Sequence, residues 1–130
     1  AVSGPVVVYD STVSFAKRVS IQAQQKAIAV SYIESRLSEL KSKEASELSK
    51  DDSVNNPFGV DINSQTCGSI SRQSFYCESI NGFNGRMTGL VMANVADDPS
   101  GSKIVLVVAK WVDFTVPNGR IRTESAWTLM

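Results

Sequence analysis

TVSFAKRVSIQAQQKAIAVSYIESRLSELKSKE, residues Thr12 to Glu44, holds neither proline nor glycine. Within it apolar residues recur at Ala16, Val19, Ala23, Ala27, Val30, Ile33, Leu37 and Leu40, always three or four apart. That is the helical period, and it predicts one long amphipathic helix. Lys17, Arg18, Gln22, Gln25, Lys26, Arg36 and Lys43 are assigned to its opposite face. Glu39 and Lys43 form an i,i+4 pair in the favourable order. Asp10 and Ser11, just upstream, are candidate caps. Val6-Val7-Val8-Tyr9 reads either as an edge strand or as the first turns of the helix.

The length of this helix sets the geometry. Some 33 residues at a rise of 1.5 Å span about 50 Å, whereas a compact domain of 130 residues is about 36 Å across. The helix must therefore protrude, bend or break. In its second half, Val30 to Leu40, the apolar stripe is expected to cover a sheet. In its first half Val13, Phe15, Val19 and Ile21 extend past that sheet if the helix protrudes, and an apolar stripe left in the open marks an association surface. If the helix breaks, they fold back into the core.

Working outward, Ser49-Lys50-Asp51-Asp52-Ser53-Val54-Asn55-Asn56-Pro57 is polar turn material that ends the helix. The segment up to Gly85 is loop-rich. From Met87 the period changes to two. Met87–Val95 reads as a strand, Ala96–Gly101 as a turn and Lys103–Phe114 as the strongest strand. Asn118-Gly119 is the preferred pair of a two-residue hairpin turn, and Arg120–Leu129 alternates with Ile121, Thr123, Ser125, Trp127 and Leu129 on one side. That turn sets Trp111 opposite Ala126, with aromatic packing on the sheet as the expected role of Trp111 and Trp127. The fold class is α+β: one domain over 1–130, with the helix in 1–46, a loop region in 47–86 and a three-stranded antiparallel meander in 87–130.

Composition narrows the function. Lys plus Arg equals Asp plus Glu at 13 each, so there is no broad basic footprint for nucleic acid. The chain has no histidine, which removes the commonest general base and metal ligand. Ser-x-x-Lys occurs at Ser14–Lys17, Ser38–Lys41 and Ser100–Lys103, without the companion motifs of serine acyltransferases. Asp61-Ile62-Asn63-Ser64-Gln65 starts like a calcium loop but has Thr66 where the turn glycine belongs, and Asp97-Asp98 reads as a solvated turn. These readings predict a non-enzymatic chain with no catalytic residue, no cofactor and no metal site. Cys67 and Cys77 have loop-like flanks and are expected to form a disulfide, which fits an oxidising compartment; the alternative is two free thiols. The bridge would close a loop worth roughly 3 kcal/mol in the chain-entropy model.

The segment Ala23-Gln24-Gln25-Lys26-Ala27-Ile28-Ala29-Val30-Ser31-Tyr32-Ile33-Glu34-Ser35-Arg36-Leu37 resembles the helix that follows the membrane-spanning half of type IV minor pilins and pseudopilins. There, small residues alternate with glutamines before a Leu/Ile–Glu element. The order of helix, irregular loop and meander is also similar, as is the closing hairpin from Val107 through Trp111 to Thr128. The cysteines precede the main strands, which favours a minor subunit over the bulk subunit of a filament. The resemblance implies a structural subunit of a pilus or secretion pseudopilus, held in the bacterial inner membrane and periplasm and packed helix to helix on other pilins. The family's processing site, apolar half-helix and acidic residue would lie upstream of Ala1. A free periplasmic or secreted adhesin module is the alternative, with the loop from Asn55 to Gly85 contacting its ligand.

Overall fold

Helix α1 runs unbroken from Ser3 to Lys41, 39 residues and about 58 Å, in this computed structural model. The structure describes residues 3–130, and side-chain surroundings from residue 15 onward. Val6 to Tyr9 belong to the helix, and Asp10 and Ser11 lie inside it rather than capping it. Pro5 falls in the first turn, where the N–H that proline lacks has no partner to lose. At the other end Ser42 closes the helix: its N–H reaches the Ser38 carbonyl at 3.2 Å and its hydroxyl donates to the Glu39 carbonyl at 2.6 Å. The helix thus starts earlier and stops sooner than the periodicity suggests.

The sheet has four antiparallel strands in sequential order: β1 Cys77–Gly82, β2 Met87–Asp97, β3 Lys103–Asp113 and β4 Arg120–Leu129. The short, polar strand β1 lies in the segment expected to be loop. It is set by Cys77 and Ile80, both buried, and by the hydroxyl of Tyr32, which accepts the Asn81 N–H at 3.1 Å and donates to the Asn81 carbonyl at 3.4 Å. Beyond Met92 the edge of β2 is taken over by the preceding loop. There the Val54 N–H donates to the Ala93 carbonyl at 2.9 Å and the Val95 N–H to the Ser53 hydroxyl at 3.1 Å.

Strand alternation gives the sheet two faces. Val91, Ala93 and Val95 of β2 and Val105, Val107, Ala109 and Trp111 of β3 are buried on the side of α1. On the other face Leu90, Met92 and Val108 are equally buried. The loop from Leu48 to Tyr76 crosses that side, held where the Lys110 ammonium donates to the Phe58 and Val60 carbonyls at 2.8 and 2.7 Å. Cys67 and Cys77 form a disulfide with Cα atoms 5.4 Å apart. It ties the short helix α2, Cys67–Ile70, to the start of β1.

The β3–β4 hairpin corrects the expected register. Pairing ends at Asp113 with Arg120, and Trp111 faces Arg122, not Ala126. The turn is formed by Val116 to Gly119, closed by the Gly119 N–H on the Val116 carbonyl at 2.9 Å. Pro117 sits at its second position and Asn118, with φ 66°, at its third, the arrangement a type II turn favours. Gly119 is required where it stands: φ is 70° and an added Cβ would lie 2.6 Å from Val112 Cγ1. A turn centred on Asn118-Gly119 would have needed Pro117 to pair with Arg120, and proline has no N–H to offer. Trp111 lies on the α1 face, buried at 3 % exposure, and Trp127 on the opposite face, exposed at 68 %.

Candidate functional site

The part of α1 that meets the sheet begins at Gln22. From there the buried positions are Gln25, Ala29, Ile33, Arg36 and Leu40, again three or four apart. This is not the stripe expected from apolar periodicity. Ile33 and Leu40 are shared, but Ala23 and Ala27 are exposed, while Gln25 and Arg36 are inside. Burying a polar group requires partners; Gln25 Nε2 and both terminal nitrogens of Arg36 have them, while Gln25 Oε1 and Arg36 Nε do not. The Arg36 guanidinium bridges Glu39 at 2.8 Å and Glu78 at 2.7 Å, linking α1 to β1.

Gln25 belongs to a second cluster, built around Asp113 at the end of β3. This carboxylate is 1 % exposed. It accepts from Gln25 Nε2 at 3.2 Å and Gln22 Nε2 at 3.1 Å on the helix. From the hairpin it accepts the Thr115 N–H at 2.9 Å and hydroxyl at 2.6 Å, and the Arg122 guanidinium at 3.2 and 3.3 Å. Burial pushes its pKa up. The bonds from Thr115, Gln25 and Arg122 outweigh burial and hold it below the usual carboxylate value, because each donor favours the charged form. Asp113 pins the helix to the sheet at the last turn where the two touch. Beside it opens a groove of about 460 Å³ whose walls include Val19, Lys26, Trp111 and Glu124, with Lys26 and Glu124 paired at 3.3 Å on its rim.

N-terminal to this junction the helix stands clear. Every residue from Phe15 to Ser20 is exposed, Phe15 at 64 % and Val19 at 47 %. The two are four apart and therefore adjacent on one face. That face is the sheet-facing one: Phe15 precedes Ile33 by about five whole turns at 3.6 residues per turn, and Ile33 is buried. Phe15 is in the open because the sheet has ended before it. Ile21 is half-buried, and Val13 lies outside the described side chains.

The remaining sequence motifs are absorbed locally. Asp61 accepts the Asn63 N–H at 3.0 Å and the Ser64 hydroxyl at 2.9 Å, a self-contained turn. Asp98 takes the N–H and hydroxyl of Ser100, and Lys103 is paired with Asp97. Asp113 escaped the sequence reading because its helix partners Gln22 and Gln25 lie some 90 residues away. The only hint was the Gln22–Gln25 spacing on a face otherwise taken to be solvated.

The protein is thus an α+β chain whose first helix outruns the sheet it packs on. Set against protein-family models, characterised proteins and solved structures, the chain matches none.

Proposed function

We propose that this chain is a structural subunit of a type IV pilus or secretion pseudopilus, a minor pilin-like protein that assembles through its N-terminal helix. One observation carries the reading. The helix continues past the sheet for some 19 residues, about 28 Å, and keeps Phe15 and Val19 exposed on the face that is buried against the sheet below. Large apolar side chains exposed together on one face favour association, and a bundle of like helices is the partner such a stripe fits. The Cys67–Cys77 bridge suits an extracytoplasmic location. The work assigned to the molecule is assembly rather than catalysis.

Among the described residues no helix is long and apolar enough to cross a membrane. The reading therefore requires an upstream continuation of α1 by about 20 apolar residues, enough to span a bilayer, with an acidic residue near their start and a short basic leader before them. The complete coding sequence, with mass analysis of the native N-terminus, tests this. The expected result is cleavage ahead of a retained apolar segment. A conventional signal removed just before Ala1, or a cytosolic start there, would overturn the assignment. In that event a free periplasmic or secreted binding module takes its place, although its helix would be expected to fold back rather than run unbroken.

A further inference from the structure

The two edges of the sheet are treated differently. On the β1 side the Tyr32 hydroxyl occupies both backbone groups of Asn81, and the loop at Ser53-Val54 occupies those of Ala93 and Val95. On the β4 side, among the described residues, nothing bonds to the outer edge. Arg120–Leu129 contains no proline, no lysine and no bulge in its pairing with β3, and of its three charges Arg122 and Glu124 are paired with Asp113 and Lys26 on the α1 side, so little guards the open edge.

The direction of its free groups can be assigned. Lys103 and Met130 exchange both N–H···O bonds, at 3.0 and 2.8 Å. Antiparallel ladders alternate bonded and non-bonded pairs, so the even residues of β4 are bonded to β3. The backbone N–H and C=O of Ile121, Thr123, Ser125, Trp127 and Leu129 then point to the open edge. Their side chains stand on the face away from α1, where Ile121, Trp127 and Leu129 are 38, 68 and 54 % exposed. They extend an apolar surface begun by their β3 neighbours Val112, Leu106 and Ile104.

We propose that this edge is the seat of a second copy of the chain, the two β4 strands pairing antiparallel about a two-fold axis at Ser125. The strand is complementary to itself in that register. Ile121 meets the partner's Leu129, Thr123 meets the partner's Trp127, and every outward backbone group finds its bond. On the opposite face Arg122 lies across from a threonine and Glu124 across from an alanine, so no like charges stand directly opposite. Centring the axis on Glu124 would set two carboxylates face to face. Centring it on Ala126 leaves Ile121 unmatched, and centring it on Thr123 carries Trp127 and Leu129 past the partner strand. The contact is isologous and closed, and it joins two four-stranded sheets into one of eight. It uses none of the free helix and stands independently of the filament reading.

A single strand edge is smaller than a standard interface of about 1,600 Å², so the dimer is expected to be weak and to form with rising concentration. Sedimentation of the wild-type chain up to millimolar concentration should show it, and a monomer throughout would overturn the proposal. Cysteine trapping tests the register. With Cys67 and Cys77 already bonded, Ser125→Cys places two thiols on directly opposed residues, Cα atoms about 5.5 Å apart and within disulfide reach. In Thr123→Cys the same two residues are offset by four positions, roughly 13 Å. Under mild oxidation Ser125→Cys should become mainly covalent dimer, and Thr123→Cys should cross-link at least tenfold less. Equal trapping of both, or trapping of neither, contradicts the register. Ser125→Pro, which removes an N–H that β3 does not use, should keep its thermal midpoint and lose the dimer; an unchanged sedimentation profile in that folded variant counts against the proposal.

Discussion

Two segments of one helix differ in fate although they are built alike. Phe15 and Ile33 share an azimuth on α1, yet one is 64 % exposed and the other 3 %. Nothing local separates them: both lie in unbroken helix, on one face, among polar neighbours. What separates them is the end of the sheet, marked by the Asp113 cluster where Gln22 and Gln25 are held. Below that junction the stripe is core. Above it Phe15 and Val19 are exposed, and the proposed assembly would cover that apolar area.

The largest expected effect is at Ile33. Ile33→Glu puts an unpaired charge into the core and should destabilise the domain by about 4 kcal/mol or more, read by denaturant melts. Next comes the junction. Asp113→Ala strips the acceptor from Gln22, Gln25, Thr115 and Arg122 at once and should cost about 3 kcal/mol. It should also speed amide exchange in the turns of α1 around Gln22, while those around Leu40 stay protected. Cys77→Ser acts away from both segments. It should remove roughly 3 kcal/mol and open the chain to proteolysis between Asn55 and Gly85 without changing the ranking of Phe15 and Ile33.

Acid probes the junction more gently. The Asp113 pKa is lower folded than unfolded, so its contribution is fully present above the unfolded value of about 3.9. It is lost as pH falls through the folded value. Stability measured from pH 5 downward should therefore drop, and Asp113→Asn should flatten that part of the profile. The smallest effect is the most telling: Phe15→Glu or Val19→Glu should change the stability of this domain by no more than about 0.5 kcal/mol, the range of ordinary surface substitutions. Losses there equal to that at Ile33 would erase the distinction between the segments.

The helix was legible because a 3.6 period sustained from Ala16 to Leu40 has few other readings, and β2, β3 and β4 were legible from alternation. The inward face of the helix was not. Apolar periodicity counts Ala23 and Ala27 as core and Gln25 and Arg36 as solvated, and only the distant partners Asp113 and Glu78 reverse that assignment. Strand β1 was hidden for a related reason: its polar sequence gains its place from Tyr32 and from pairing with β2. The hairpin register differs because the expected turn pairs Pro117 with Arg120, a pairing for which proline has no N–H, whereas the ladder ends at Asp113 and Arg120. Of the exposed helix segment, Phe15 and Val19 were readable as apolar. Their exposure depended on where the sheet stops, which no local pattern encodes.

The most direct test of the central claim joins the free helix to assembly. Phe15→Glu should be introduced into the complete protein in its native cells, and the subunit measured in sheared or periplasmic filaments against the amount held in the membrane. The account predicts a folded, membrane-held subunit that no longer enters the filament. Incorporation at the level of the parent chain would contradict it.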